Sequence, residues 1–237
     1  MILQDRNTVL FDLDGTLLPF RQEDFVHDYF GRLVRKAMPL GFDKDTLVKA
    51  VWAGTGAMVE NDGSKSNCQA FWEVFTHLTG RDREELEPVF LEFYQKEFDQ
   101  VREVLQGPVD RSGLIRELRR RGCGLILATN PLFPPEAVET RLRWAGLTSA
   151  DFDHITTYDN SCHCKPNPDY FRDILADTGR RAEQCVMVGN NAREDMVAGN
   201  LGMAVYLVTD HPEDCTDADL ARYPHGSFAE MEAWLLG

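Results

Sequence analysis

Five short apolar runs constrain this chain more than any other feature: Thr8–Phe11, Gly124–Ala128, His154–Thr157, Cys185–Val188 and Ala204–Val208. Each is short for a helix and bounded by turn formers, so each reads as a strand buried on both faces of a parallel sheet. Helix-period segments separate the last four. Arg111–Arg121 places Leu114, Ile115 and Leu118 on one face, and Gly122 stops it. Pro135–Ala145 has proline at its start and Gly146 after its end. Pro168–Thr178 carries Tyr170, Phe171, Ile174 and Leu175 at helical spacing, and Glu194–Leu201 runs into Gly202. Strand alternating with helix demands right-handed crossovers. The expected class is α/β, a Rossmann-like open parallel sheet with helices on both faces.

The interval between the first two strands is different. It shows helical patterning over Glu23–Met38, Lys44–Trp52, Cys68–Leu78 and Arg83–Phe98, with no β pattern. Asp82 followed by Glu85 predicts a capping box for the last of these. About 85 residues far exceed what a crossover needs, so an inserted all-α subdomain is expected over residues 20–105. Residues 1–19 and 106–237 then form the α/β core.

Charge narrows the partners. The 25 Lys and Arg against 39 Asp and Glu leave a net charge of −14. Nucleic acid and anionic membranes are recognised by basic surfaces, so neither is expected. A small phosphorylated substrate stays compatible, because a few cations can reverse the field inside one pocket. No apolar run approaches the roughly 18 residues of a membrane span. Asp5 and Arg6 interrupt the place where a signal peptide needs its apolar region, and six scattered cysteines suit a reducing compartment, so the expected location is cytoplasmic. The run Cys162-His163-Cys164 offers soft-metal donors but lacks a second pair at zinc-finger spacing. It is expected to be ordinary loop.

The chemistry concentrates at strand ends. Asp12-Leu13-Asp14-Gly15-Thr16 directly follows the first apolar run. A bare pair of acids beside glycine is often a solvated turn. Here the pair falls outside the carboxyl end of a strand, where open α/β sheets bind ligands. Thr129 and Asn130 end the second strand. Lys165 lies in Cys164-Lys165-Pro166-Asn167-Pro168, ahead of a helix. Gly189-Asn190-Asn191 ends the fourth strand and leads to Glu194-Asp195. Singly, each is a commonplace strand end, lysine or turn.

Taken in order, these four pieces resemble the motifs of the haloacid dehalogenase superfamily, most of whose members are magnesium-dependent phosphatases. The resemblance covers residues 7–18 and 107–210 as core and the insert as an α-helical C1 cap. It implies that Asp12 attacks phosphorus to give an aspartyl-phosphate. Asp14 would protonate the leaving oxygen and then activate water. Thr129 would hold a phosphoryl oxygen and Lys165 would offset the charge. Backbone groups around Leu13, Asn130 and the turn to Thr16 would cradle the remaining oxygens. Mg2+ would neutralise nucleophile and substrate together, held by Asp12, Asp14, Asn190 and Asp195.

One departure is visible. The fourth motif of the family usually reads Gly-Asp, whereas this chain has Gly189-Asn190. The expectation is that Asn190 coordinates through its side-chain oxygen while Asp195 assists by orienting Lys165 or a water. In the insert, Asn61–Asn67 is the most polar stretch, and Lys65 and Asn67 are its candidates for contacting the non-phosphate part of the substrate. Gly54-Thr55-Gly56 suggests a hinge or a helix break, and Trp52, Phe71, Trp72, Phe75 and Phe90 are expected to be insert core. The leading function is hydrolysis of a small phosphorylated metabolite. Asp14 disfavours dehalogenation and phosphonate cleavage. A sugar-phosphate mutase and a non-catalytic binding member are the alternatives, and oligomeric state is not legible.

Overall fold

The computed structural model describes residues 2–237. In chain order the strands and α-helices are β1 (Thr8–Phe11), α1 (Gln22–Ala37), α2 (Lys44–Val59), α3 (Asn67–Thr79), α4 (Arg83–Lys96), α5 (Ser112–Arg120), β2 (Gly124–Leu127), α6 (Pro135–Trp144), β3 (His154–Ile155), α7 (Pro168–Thr178), β4 (Cys185–Gly189), β5 (Ala204–Val208), α8 (Asp217–Arg222), β6 (His225–Gly226) and α9 (Phe228–Leu236). All six strands are parallel, in the order β3-β2-β1-β4-β5-β6. β1 is central. Its Thr8 and Phe11 pair with Gly124 and Leu127 of β2 on one side and with Cys185 and Val188 of β4 on the other. The chain builds outward from β1 through β2 to β3, then returns to the other side at β4. That reversal places the carboxyl ends of β1, β2 and β4 around one crevice.

Every residue of β1, β2 and β4 is buried, which is why these strands read as continuous apolar runs. The five expected strands are all present. A sixth, β6, has two residues and no periodic signal to announce it. The segment expected as a helix over Glu194–Leu201 is a 3-10 helix over Met196–Leu201, ended by Gly202 at φ 98°.

Helices α1 to α4 fill the interval between β1 and α5. α1 buries Phe25, Tyr29 and Leu33, each four residues from the last. Asp43 caps α2 by accepting from Thr46 N at 2.9 Å, and Ser66 with Gln69 forms the capping box of α3. The box expected at Asp82 does not form. Asp82 makes no side-chain cap, and Glu85 turns back to pair with Arg81 instead. Gly54 and Gly56 lie inside α2, so they are neither hinge nor break. A Cβ on Gly54 would stand 2.6 Å from the Phe71 ring, so glycine lets α2 and α3 approach closely. Phe75, Phe90 and Trp72 are core as expected. Trp52 is corrected: it is 51% exposed and stacks on Phe30 at 5.1 Å.

The insert and the sheet share one apolar cluster, running from Val9, Phe11 and Val186 to Phe25, Phe75 and Leu86. Phe98, in a 3-10 helix over Phe98–Val104, sits at the junction. Its ring lies 6.2 Å from Phe25, 6.3 Å from Phe133 and 5.5 Å from Trp144. No helix among the described residues is long and apolar enough to cross a membrane, and all six cysteines are free thiols.

Candidate active site

Asp12 is the residue immediately after β1, and its N–H donates to Val188 O at 2.9 Å, which continues the sheet to the carboxylate. Asp12 Oδ1 accepts from Lys165 Nζ at 2.8 Å. Its Oδ2 accepts from the Thr16 hydroxyl at 3.2 Å. Lys165 is 1% exposed and also donates to Asp195 Oδ1 at 2.7 Å. The other oxygen of Asp195 accepts from Asn191 N at 3.0 Å, so both oxygens of this carboxylate are engaged. A Cβ at position 189 would lie 2.1 Å from Asp195 Oδ2. The glycine that opens the fourth motif is therefore required by the close passage of a carboxylate.

Asn190 shows the same economy. Its Nδ2 donates to His211 O at 2.7 Å, which turns Oδ1 towards the site, 3.1 Å from the Thr16 hydroxyl. Gly15 lies directly over it at φ +76°, and a Cβ there would stand 2.1 Å from Nδ2. Thr16 is thus a bracket between Asp12 and Asn190. The N–H groups of Gly15 and Thr16 donate to Leu18 O and Leu13 O, which closes the turn on itself. This corrects the expectation that the turn's N–H groups cradle an anion, since two of them are spent locally. Asn130 bridges the second and third motifs, accepting from Lys165 N at 3.2 Å and donating to Glu194 at 3.1 Å. The Thr129 carbonyl accepts from Tyr170 and Thr156 hydroxyls at 2.8 and 2.7 Å, which pins the strand end.

Sequence reasoning missed Arg141. It is 1% exposed, on α6, and its guanidinium pairs with Asp14 Oδ2. It also stacks over Phe133 at 4.4 Å. The second oxygen, Asp14 Oδ1, is buried without a partner. Burial pushes the Asp14 carboxyl up, and Arg141 opposes that. Glu213 was missed too. Its N–H donates to Asn190 O at 3.0 Å, and burial together with Asp12 pushes its carboxyl up to about 7. Burial likewise pushes Glu194 up to about 7 against the pull of Lys165. Burial lowers the Lys165 ammonium, but Asp12 and Asp195 outweigh it and hold the group well above its usual range.

Five carboxylates (Asp12, Asp14, Glu194, Asp195 and Glu213) therefore crowd around two cations, Lys165 and Arg141. An excess of buried negative charge and a donor set of oxygens alone fit a hard divalent cation. The oxygens that would hold one are those of Asp12, the Asn190 side chain and the Asp14 backbone carbonyl.

Neither candidate from the insert hydrogen-bonds a residue of this cluster. Lys65 Nζ is on Glu73 at 2.6 Å, at the surface. Asn67 is fully buried and donates to Pro131 O at 3.2 Å and to Cys164 Sγ at 3.3 Å. Asn67 ties the insert to the loops after β2 and β3. Cys164 is buried in that contact and does not join Cys162 and His163.

The haloacid dehalogenase-like hydrolase family profile matches residues 7–201, more than three quarters of the chain. The chain belongs to the haloacid dehalogenase-like hydrolases. Among curated relatives, this hydrolase is 27% identical over 198 residues to the phosphoglycolate phosphatase of Colwellia psychrerythraea, covering 84% of this chain and 82% of that one. It is 24% identical over 193 residues to the pyrophosphatase PpaX of Bacillus cereus, covering 81% and 78%. Among solved structures it resembles the 2-haloacid dehalogenase of Pseudomonas syringae pv. tomato, with a TM-score of 0.63, 21% identity and 98% of each chain covered. That last likeness speaks for the fold alone.

Proposed function

We propose that this hydrolase is a Mg2+-dependent phosphatase that acts on a small phosphorylated metabolite through an aspartyl-phosphate on Asp12. The observation that carries the reading is the buried Lys165 ammonium, shared between Asp12 and Asp195 at 2.8 and 2.7 Å, with a second acid two residues along the same strand end. A nucleophilic carboxylate held by one lysine can meet a dianion only when further positive charge is present. Asp12, the Asn190 side-chain oxygen and the Asp14 backbone carbonyl would hold magnesium, which would supply that charge.

Asp12 attacks phosphorus, and the leaving oxygen takes a proton from Asp14. Water then attacks the acyl-phosphate, and Asp14 takes its proton. An acid that begins protonated needs a raised pKa, and burial of Asp14 acts in that direction. Thr129 and Asn130 line the phosphoryl position. Asp195 fixes Lys165, and Thr16 fixes the mutual orientation of Asp12 and Asn190. Residues 20–105 act as the cap over a core of residues 1–19 and 106–237. Asn67 holds that cap in place, while Lys65 serves its surface.

Two cavities lie nearby, and neither is lined by Asp12, Asp14 or Lys165. One, of about 270 Å3, is walled by rings such as Phe25, Tyr29, Trp72 and Phe133, and no Lys, Arg or His lines it. Arg141 stands between Asp14 and the rings of Phe25 and Phe133. The other, of about 630 Å3, is bordered by Arg21, His211 and Glu213. The aromatic cavity suits an apolar leaving group and offers no cation for a second phosphate. Asp14 disfavours dehalogenation, because displacement of halide needs no acid there.

The test is hydrolysis of p-nitrophenyl phosphate with and without Mg2+. Turnover is expected in the wild type only with the metal and is expected to vanish in Asp12→Asn. Inactivity of the folded wild type with Mg2+, or full activity of Asp12→Asn, would overturn the reading.

A further inference from the structure

Away from the carboxylate cluster, three metal-binding side chains meet that the hydrolytic chemistry does not use. Cys162 Sγ, His163 Nδ1 and an Asp173 oxygen all lie within 4.8 Å of one another. The sulfur is 3.8 Å from the ring nitrogen and 3.6 Å from the carboxylate oxygen. The nitrogen and oxygen are 2.7 Å apart. Cys162 and His163 belong to the loop between β3 and α7, and Asp173 lies in the second turn of α7. All three are partly exposed, so an ion can reach them without unfolding.

The donors are one thiol, one imidazole and one carboxylate. Zinc binds these at about 2.3, 2.0 and 2.0 Å in a tetrahedron. Those lengths put sulfur about 3.5 Å from the other two donors, and nitrogen about 3.3 Å from oxygen. The two sulfur distances already lie within a few tenths of an ångström of that. Only the nitrogen–oxygen pair must open, by about 0.6 Å, as it exchanges a shared proton for a shared ion. We propose that Cys162, His163 and Asp173 form a transition-metal site of the zinc class, with three protein ligands and a fourth position open to solvent. Magnesium is no competitor, because it demands oxygen donors and this site offers one carboxylate. The Asp12 cluster offers oxygen alone. The two sites therefore sort ions by donor chemistry.

The position gives such an ion leverage. The far edge of the His163 ring packs on the insert: a Cβ on Gly63 would stand 2.6 Å from its Nε2. Lys165 follows two residues later, and Cys164 between them accepts from Asn67. An ion here ties α7, the lysine loop and the insert loop together, so it raises the thermal stability of the folded chain.

The test uses the full chain saturated with Mg2+ and titrated with Co2+ and then Zn2+. The expected result is a thiolate-to-cobalt charge-transfer band that saturates at one equivalent and is removed by one equivalent of Zn2+. Cys162→Ser is expected to lack the band. Zinc affinity is expected to fall by about tenfold or more in Cys162→Ser and Asp173→Asn, since even supporting residues of metal sites contribute on that scale. Cys215→Ser, at the other partly exposed cysteine, is expected to match the wild type. Absence of the band in the wild type, or zinc affinities in both ligand variants within twofold of it, would overturn the proposal. The band is read in the wild type, so a poorly folded variant cannot hide the answer.

Discussion

Replacing Lys165 with methionine removes the one ammonium between two buried carboxylates and keeps most of the stem's volume. Its Nζ donates to Asp12 at 2.8 Å and to Asp195 at 2.7 Å, with 1% of the side chain exposed. Deleting one partner of a buried ion pair costs about 3–5 kcal/mol. In a chain of this length each kcal/mol lowers Tm by about 2–4 °C, so the expected fall at pH 8 is about 6–20 °C. The sign of the pH dependence follows from Asp195. Burial already raises its pKa and Lys165 opposes that, so removing the lysine raises it further. A carboxyl raised in the folded state holds its proton where the unfolded chain has released it. The variant's stability is then full below about pH 4 and is lost as pH rises. The gap between wild type and Lys165→Met, followed by circular dichroism melts without divalent cations, is expected to be wider at pH 8 than at pH 5. A variant Tm within about 2 °C of wild type at pH 8, or a gap that widens towards acid, would refute the ion-pair account.

Asn190→Asp adds a charge to the proposed metal site but faces the His211 carbonyl with an oxygen in place of a donor. Calorimetry is expected to show tighter Mg2+ binding, while the metal-free protein loses about 1–3 kcal/mol in denaturant melts. Arg141→Met leaves both Asp14 oxygens without partners, so the basic limb of the pH–rate profile is expected to move to higher pH. Gly54→Ala drives a methyl into the Phe71 ring and is expected to cost about 1–3 kcal/mol. Gly56→Ala, which meets nothing within 4 Å in the same helix, is expected to gain about 0.5–1 kcal/mol.

The parts of the site legible in the sequence are those attached to strand ends. Asp12, Thr129 and Asn190 each follow a fully buried apolar run, so the pattern that places the strand also places the side chain. Lys165 needed the other three for its meaning. Arg141 went unread because its partner lies 127 positions away, yet a signal was present. It shares the buried face of α6 with Ala137, Val138 and Leu142, and a charge on such a face requires a hidden partner. The capping box at Asp82 failed because Glu85 found a guanidinium at Arg81. The cysteine run was expected to be ordinary loop, and adjacency alone could not show which of its side chains would meet Asp173. Sequence adjacency offered Cys164, while the turn into α7 brought Asp173, ten residues beyond His163. The Glu85 pair is itself local, four residues from Arg81, whereas the Asp173 contact arises only once the chain turns into α7.

The apolar cluster that runs unbroken from the sheet into the inserted helices limits how this hydrolase admits a ligand. A lid that swings on two strands of backbone needs a joint that water can wet. Here the joint is ring against ring, with Phe98 wedged among Phe25, Phe133 and Trp144. A joint of that kind couples the two parts, so the insert and the sheet are expected to melt as one cooperative unit. For the engineer, the insert is not an exchangeable part: a helical segment borrowed from a relative would have to bring its own match for those four rings.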